Sequence, residues 1–275
     1  MSTAMIQPGT EALVAGVPDG TKIAIIKDCG VAMEATRALI RRGVRDLHVI
    51  TVPTSSFQAE LLIAAGCVGT IETSGVTMWE LGQAPAFVRA VKSGSIRIVD
   101  STCPAIYAQF QAGEKGIPFI PLRGLIGSDL LGARDDYKVI DNPFAEDDPV
   151  AVLPAIVPDF ALFHAPLADR HGNVWVGRQG DLRTLAHAAK ASLVTVEEIT
   201  DDDLMADERM ASGAIPALYI SAIAEAPKGA WPMALPGCYG EDSDYLARYC
   251  QAAASADGLA AWLAEEGLIP RAAAE

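Results

Sequence analysis

Short apolar runs alternate with segments of helical periodicity along the first half of the chain. The earliest run, residues 22–26, leads into a glycine turn at Gly30 and then into a helical pattern over 31–42. The alternation continues with strands expected at 47–52, 68–72, 96–99 and 118–120, and with helices expected at 57–65, 85–92 and 105–114. Such an order is typical of right-handed βαβ crossovers, which place successive strands parallel in one sheet. The sequence therefore predicts an α/β fold with an open, mostly parallel sheet and helices on both faces.

Glycines follow four of the helical patterns. They are Gly43, Gly66, Gly94 and Gly116, each just past the last periodic residue. Glycine adopts the left-handed conformation that ends many helices without steric cost, so these four positions predict helix ends.

Residues 121–158 break the alternation. They contain several prolines and two acidic clusters, Asp135-Asp136 and Glu146-Asp147-Asp148, which favour a long irregular excursion on the surface. Beyond them, strands are expected at 160–164, 192–196 and 217–223, and helices at 181–190, 242–252 and 258–266. Because no low-complexity linker or internal repeat divides the chain, we expect a single domain over 1–275 that contains this excursion.

The composition limits the kinds of molecule and the location that we expect for this protein. Apolar residues make up 51% of the chain, yet no run of about 18 of them is free of charge and proline, so no membrane span is expected. The 21 basic and 35 acidic side chains give a net charge of −14, which argues against nucleic-acid binding. The first residues show no basic segment ahead of an apolar core, so no secretory signal and a cytoplasmic location are expected.

The cysteines and histidines show no metal or disulfide pattern. The five cysteines are too few and too irregularly spaced for a disulfide framework, and no CxxC occurs. The four histidines show neither HExxH nor a Cys/His cluster of zinc spacing. We therefore expect no structural metal.

Small polar residues follow the predicted strands of the first half. In an open parallel sheet, ligands bind beyond the carboxyl ends of the strands, and a helix that starts there offers backbone N–H groups to an anion. Capping of the next helix by Ser, Thr or Asp is the competing interpretation for each of these residues taken singly. We expect a substrate pocket formed by Lys27, Asp28, Cys29, Gly30, Ser74, Gly75, Asp100 and Ser101.

Several well-known motifs are missing from these turns. Neither the dinucleotide-binding GxGxxG nor the phosphate-binding GxxxxGK[ST] is present, and no GxSxG nucleophile turn occurs. Cys29 lies next to the charged turn, where a thiolate is one interpretation and a small buried filler the favoured one. In HAPLADRHGN, the residues His164, Asp169 and His171 suggest a base with its orienting group, although a tight turn between two strands is favoured.

Seven segments in order resemble the alpha (A) subunits of family I CoA-transferases, in the branch of the glutaconate CoA-transferase alpha chain. They lie at 31–50, 61–72, 81–94, 116–131, 164–177, 185–199 and 234–249, so the resemblance spans most of the chain. It implies an open layered α/β fold. It also implies that the partner is a beta subunit, in a heterodimer or heterotetramer.

The resemblance further implies a covalent reaction. In that family a glutamate of the beta half attacks the acyl-CoA thioester and forms an acyl-glutamyl anhydride. The coenzyme A thiolate then returns and gives a glutamyl-CoA thioester. The receiving acid repeats these steps in the reverse order. The resemblance is to the alpha half, and the Glu-x-Gly sequence at Glu265-Glu266-Gly267 lies in a C-terminal helical pattern. The chain is therefore expected to lack the nucleophile and to bind an acyl-CoA and a small carboxylic acid. Coenzyme A would be the acyl carrier, with no tightly bound cofactor.

Two positions depart from the family pattern. A glycine-rich stretch after the first strand is replaced by Lys27 to Gly30, which leaves less backbone to approach the thioester. Ring-opening hydrolase relatives carry a glutamate after the aspartate of the fourth strand, where this chain has Ser101 after Asp100. Two alternatives remain open. In the first, the chain is a subunit of an acyl-CoA hydrolase or of a retro-Claisen ring-cleaving enzyme, in which Asp28, Asp100 or a partner carboxylate activates water. In the second, it is a non-catalytic scaffold.

Overall fold

The computed structural model describes residues 4–268. A parallel sheet of eight strands forms the centre of the molecule. Neighbouring strands follow the order β1-β13-β11-β9-β2-β3-β4-β5, and every neighbouring pair is parallel. The strands are β1 Met5–Gln7, β2 Lys22–Ile26, β3 Leu47–Val52, β4 Val68–Thr73, β5 Arg97–Asp100, β6 Phe119–Leu122, β7 Lys138–Asp141, β8 Pro149–Pro154, β9 Phe160–Asp169, β10 Val174–Trp175, β11 Ala191–Thr200, β12 Ala214–Ile215 and β13 Ala222–Glu225. The expected fold class is confirmed.

The described residues form ten α-helices. They are α1 Thr10–Val14, α2 Met33–Arg42, α3 Phe57–Ala64, α4 Pro85–Ser93, α5 Cys103–Glu114, α6 Leu130–Ala133, α7 Gly180–Ala188, α8 Glu208–Ala211, α9 Ser243–Ala252 and α10 Ala256–Glu265. The seven helices of eight or more residues lie where the sequence predicts helices, whereas the short helices α1, α6 and α8 were not predicted. The four glycines expected at helix ends all have positive φ, between 66° and 78°. The predicted boundaries of α2 to α5 are therefore correct to within about two residues, the usual scatter of helix ends.

The strand order reverses between β2 and β9. From β2 the chain proceeds outward through β3, β4 and β5, whereas the later strands β9, β11 and β13 extend the sheet in the other direction. At such a switch point the connections leave the sheet on opposite sides and open a crevice beyond the carboxyl ends of the two central strands. The topology therefore places a crevice next to Gly30.

The two C-terminal helices cover α3 through aromatic contacts. The Phe57 ring meets Tyr249 of α9 edge-on, with 4.9 Å between the centroids, and Tyr249 meets Trp262 of α10 at the same distance. Burying three aromatic rings in edge-to-face geometry stabilises this layer. The Tyr249 hydroxyl also donates a 2.8 Å hydrogen bond to Glu60, whose carboxylate accepts the first N–H groups of α4.

The segment expected to be an irregular excursion is ordered. β6 does not continue the parallel sheet as expected for 118–120; it pairs antiparallel with β8, which in turn pairs with β7. This small sheet has its own core, with Leu125, Tyr137 and Leu153 among its buried side chains. The expectation was wrong because the strands are short and interrupted by prolines, and all four residues of β7 are exposed, which leaves no alternation to detect.

The sequence did not predict several short strands and helices. They include β1, α1, α8 and the small strands β10 and β12, which pair with each other beside β9. The strand expected at 217–223 is a single 3₁₀ turn, Ala217–Tyr219, followed by β13. Residues 1–3 and 269–275 of the expected 1–275 unit lie outside the described residues.

The described residues contain neither a membrane-spanning helix nor a cluster of metal ligands. Over 4–268, no helix is both long and apolar enough to cross a membrane. In the same part of the chain, no group of three or more His, Cys, Asp or Glu side chains is arranged to hold a metal ion.

Candidate active site

The turn after β2 brings a charged pair to the carboxyl edge of the sheet. Lys27 Nζ lies 2.9 Å from Asp28 Oδ2, and both side chains are partly exposed. The hydrogen bond to Asp28 raises the pKa of Lys27 against the opposing effect of burial, and the negative charges of Asp28 and Asp181 raise it further. Lys27 is therefore a permanent cation whose charge is already largely matched by neighbouring groups.

Ser74 and Gly75 follow β4 along the same edge. Ser74 Oγ donates a 2.9 Å hydrogen bond to the Pro53 carbonyl and lies 3.1 Å from Cys103 Sγ. The Gly75 N–H donates to Thr73 Oγ1 at 3.0 Å. Because Cys103 is the first residue of α5, directly after β5, its contact with Ser74 joins the turns after β4 and β5 along one polar edge.

Asp100 and Ser101 face the small antiparallel sheet. The Ser101 N–H donates to Asp100 Oδ1 at 2.9 Å, and Ser101 Oγ lies 3.2 Å from Tyr137 Oη. The Arg134 guanidinium donates to the Asp100 carbonyl at 3.1 Å. Asp100 is not the cap of α5, since that role belongs to Thr102, whose Oγ1 accepts the Ala105 N–H. Asp100 and Ser101 are thus bound to the insert, the segment at 119–154 that contains β6, β7 and β8, while Thr102 caps α5.

A cleft of about 420 Å³ opens at the switch point between β2 and β9. Its described lining residues are Cys29, Gly30, His164, Pro166, Trp175, Val176, Arg178, Gln179, Leu182, Leu235, Pro236 and Gly237. Of the eight residues predicted from the sequence, Cys29 and Gly30 are in this set. Burial raises the pKa of the Cys29 thiol, so the group is a neutral thiol at neutral pH rather than a thiolate. The cleft is mostly apolar, with Arg178 exposed at its mouth.

His164 contributes the buried polar group of the cleft. Its side chain has no exposed surface. Nδ1 lies 2.8 Å from Thr195 Oγ1, and Nε2 lies 2.8 Å from Glu197 Oε1. Both ring nitrogens therefore bond to protein groups, which fixes the imidazole and leaves neither nitrogen free to exchange a proton with a ligand.

Glu197 accepts three hydrogen bonds. Besides His164, the Tyr239 hydroxyl donates to Oε1 at 2.7 Å and the Lys228 N–H donates to Oε2 at 2.8 Å. Burial by itself would raise the pKa of Glu197, but these hydrogen bonds outweigh it and hold the pKa at about 2. A carboxylate whose oxygens are bonded in this way is a stable anion and a poor nucleophile.

The sequence HAPLADRHGN divides into two parts. Asp169 accepts the N–H groups of His171 and Asn173, each at 2.9 Å, and the chain reverses here from β9 into β10. The interpretation as a tight turn between two strands is thus correct for Asp169 and His171. His164 lies upstream in the buried part of β9 and was missed as a site residue. Its sequence signal was an ionisable side chain inside an otherwise apolar strand.

Comparison with known proteins places the chain in a family. Residues 9–226 match the Coenzyme A transferase family. The chain belongs to that family. The resemblance inferred from the sequence is therefore confirmed.

The chain is similar to proteins of different functions. The A subunit of the 3-oxoadipate CoA-transferase of Pseudomonas knackmussii is 32% identical over 84% of this chain and 82% of its own length. An uncharacterized protein of Archaeoglobus fulgidus is 33% identical over 80% of this chain, which spans about half (49%) of that protein. The crystal structure of the decarboxylase AibA/AibB C56S variant has a chain with a TM-score of 0.84 and 29% identity, covering 96% of this chain and 100% of that one.

Proposed function

We propose that this chain is the alpha subunit of a CoA-transferase that moves coenzyme A between an acyl-CoA and a small carboxylic acid. A beta subunit would supply the nucleophilic glutamate. Family membership and the similarity to the 3-oxoadipate CoA-transferase relative over most of both lengths support the proposal. The expected cytoplasmic location and the heterodimeric or heterotetrameric stoichiometry stay predictions.

The state of the carboxylates around the cleft is the main support. Among the described lining residues there is no Asp or Glu. The carboxylate beneath the cleft, Glu197, is held as an anion by His164, Tyr239 and the Lys228 N–H. Covalent acyl transfer needs a carboxylate that is free to attack, so these observations support a nucleophile supplied by the beta subunit.

The cleft also suits an anionic substrate. Arg178 is exposed at its mouth, and within residues 4–268 its side chain has no hydrogen bond or salt bridge. A guanidinium binds carboxylate and phosphate oxygens in a fork geometry. In a chain of net charge −14, such a group gives the acid or the coenzyme a favourable point of contact.

We retain the wider site proposed from the sequence. Lys27, Asp28, Cys29 and Gly30 lie at the end of β2, Ser74 and Gly75 at the end of β4, and Asp100 and Ser101 at the end of β5. Parallel strands end on the same edge, so a partner that covers this edge would enclose the cleft together with these turns. In this proposal the chain binds and orients the substrates and excludes water, while the partner performs the covalent steps.

The test compares the chain alone with the chain co-purified with a candidate beta subunit. Exchange of coenzyme A between acyl-CoA donors and carboxylic acids is expected only for the pair. Mass spectrometry should locate the glutamyl-CoA thioester on the beta subunit. Robust exchange by this chain alone would overturn the proposal. Release of free coenzyme A or of carbon dioxide without exchange would instead identify a hydrolase or a decarboxylase, and a pair inactive in all three assays would favour the scaffold alternative.

A further inference from the structure

The turn formed by residues 235–239 makes one rim of the cleft. Leu235 and Tyr239 pair through two 3.0 Å backbone hydrogen bonds, and Leu235, Pro236 and Gly237 line the cleft. Pro236, Gly237 and Cys238 are exposed. A short exposed turn of this kind keeps one position only if something anchors it to the body of the protein.

The anchor is the Tyr239 side chain. Its hydroxyl donates to Glu197 Oε1 at 2.7 Å and accepts the Ala230 N–H at 3.0 Å. Burial raises the pKa of Tyr239, and the bond to the Glu197 anion raises it further, so the hydroxyl keeps its proton and remains a donor. The rim therefore connects to the sheet through one charged acceptor.

The same carboxylate also holds the floor of the cleft. Glu197 Oε1 lies 2.8 Å from His164 Nε2, and Oε2 accepts the Lys228 N–H. Gly229, the next residue, lies against the imidazole: a Cβ added to Gly229 would come within 2.6 Å of His164 Cε1. Floor, rim and the segment at 228–230 thus meet at one side chain.

We propose that Glu197 is a positioning residue that sets the distance between the His164 floor and the 235–239 rim, and with it the width of the cleft available to an acyl chain. The role in acyl selection rests on the proposed function, whereas the geometric role does not. Glu197 acts through its hydrogen-bond donors and does not touch the reacting atoms.

The first experiment needs no substrate and uses Cys238 as a reporter. Cys238 is exposed within the rim, and Cys103, exposed at the start of α5, serves as the internal reference. Tyr239→Phe removes both hydrogen bonds of the hydroxyl, to Glu197 and from the Ala230 N–H, but keeps the Glu197 charge. Its rate of alkylation at Cys238 by iodoacetamide, resolved by mass spectrometry, should rise at least about fivefold, the equilibrium effect of losing a single hydrogen bond. The Cys103 rate should not change.

Matched controls separate position from charge. Burial and, after it, the Glu197 charge raise the pKa of Cys238, so Glu197→Gln should increase alkylation in two ways, by loosening the rim and by removing this charge. Glu198→Gln is the control for Glu197→Gln, because it removes an exposed carboxylate next to Glu197 in β11. Tyr219→Phe is the control for Tyr239→Phe, because it removes the hydroxyl of a partly exposed tyrosine outside the rim. Both controls should behave as the unmodified chain does. An unchanged Cys238 rate in Tyr239→Phe would overturn the geometric role.

The second experiment uses the complex with the beta subunit. With acetyl-CoA and hexanoyl-CoA as donors, Tyr239→Phe should change the ratio of the two kcat/KM values by about fivefold through KM, with kcat little altered. A glutamyl-CoA thioester on Glu197, or a loss of kcat in Glu197→Gln that Tyr239→Phe does not share, would show a chemical role and overturn the proposal. If neither donor is used, the proposed function is wrong for these substrates, and the alkylation rates still decide the geometric role.

Discussion

The Gly30 carbonyl accepts a 2.7 Å hydrogen bond from the His164 N–H. This contact joins the turn after β2 to the strand that holds the buried imidazole of the cleft. Gly30 has a φ of 81°, and a Cβ built on it would lie 2.7 Å from the His164 carbonyl oxygen and 2.8 Å from Leu182 Cδ1. Gly30, predicted from the sequence, is therefore in direct contact with His164, found only in the structure. Only glycine can occupy this position without displacing its neighbours.

Gly30→Ala is expected to destabilise the fold more than the left-handed φ alone requires. Gly20 has a similar φ of 73°, with no atom within 4 Å of an added Cβ, so Gly20→Ala measures the backbone cost, about 1 kcal/mol. Gly30→Ala should cost about 2 kcal/mol more, because the methyl group collides with the His164 carbonyl and with Leu182. Denaturant unfolding of both variants checks this difference, and equal losses would contradict it.

Acid should remove the stabilisation that Glu197 provides. Its pKa is lowered from 4.5 to about 2 in the fold, so the charged form stabilises the protein above the unfolded pKa of 4.5. That contribution, about 3 kcal/mol, is lost as the pH falls from 4.5 through about 2. The free energy of unfolding of Glu197→Gln should therefore change less over this range than that of the unmodified protein. Glu198→Gln, in which an exposed carboxylate is replaced, should keep the original pH dependence.

Asp100→Asn separates a functional role from a structural one. Thr102 caps α5, so Thr102→Ala should cost about 1 kcal/mol of stability. Asp100→Asn can still accept the Ser101 N–H through its amide oxygen and should cost less than about 1 kcal/mol. If Asp100 belongs to the substrate site, Asp100→Asn will reduce turnover of the assembled enzyme without affecting assembly. Unchanged turnover, as expected for the loop control Asp202→Asn, would remove Asp100 from the proposed site.

Arg178→Gln should weaken binding of the anionic substrate. Loss of one charge-assisted contact is expected to lower kcat/KM by about tenfold to a hundredfold, mainly through KM. The effect should shrink at high salt, because exposed charges are screened. Arg209→Gln is the control, since Arg209 is exposed and pairs with Asp207 at the start of its own helix. Steady-state kinetics at two salt concentrations distinguish the two sites, and equal effects of both variants would contradict the role of Arg178.

Long, well-buried elements were predictable from their own residues. The strands β2 to β4 have mostly buried side chains, α2 has a clear helical periodicity, and a glycine of positive φ follows both α2 and α3, so these patterns are strong. The antiparallel insert was not predictable in this way. Its strands are short and partly exposed, and they are stabilised by contacts such as Ser101 with Tyr137, which are distant in sequence.

The candidate site was predictable in part for the same reason. The turn at Lys27 to Gly30 follows a recognisable strand, so its place at the carboxyl edge follows from topology. The group formed by His164, Glu197 and Tyr239 was missed, because its members are dispersed over three segments and each has an ordinary structural interpretation when taken alone. Their joint role is visible only from the hydrogen bonds that connect them.

The sequence by itself determined the main strands and helices, the parallel sheet and the resemblance to the coenzyme A transferase family, since each is carried by patterns within continuous segments of the chain. The tertiary structure alone decided that His164 and Glu197 meet. In the pairing of β9 with β11, His164 lies opposite Thr195, and Glu197 follows two residues later on the same face. A shift of the register by two residues would preserve the same alternation of apolar and polar positions, so the pattern cannot specify the partner. Packing of the whole sheet selects the register, and that register places the carboxylate beneath the cleft.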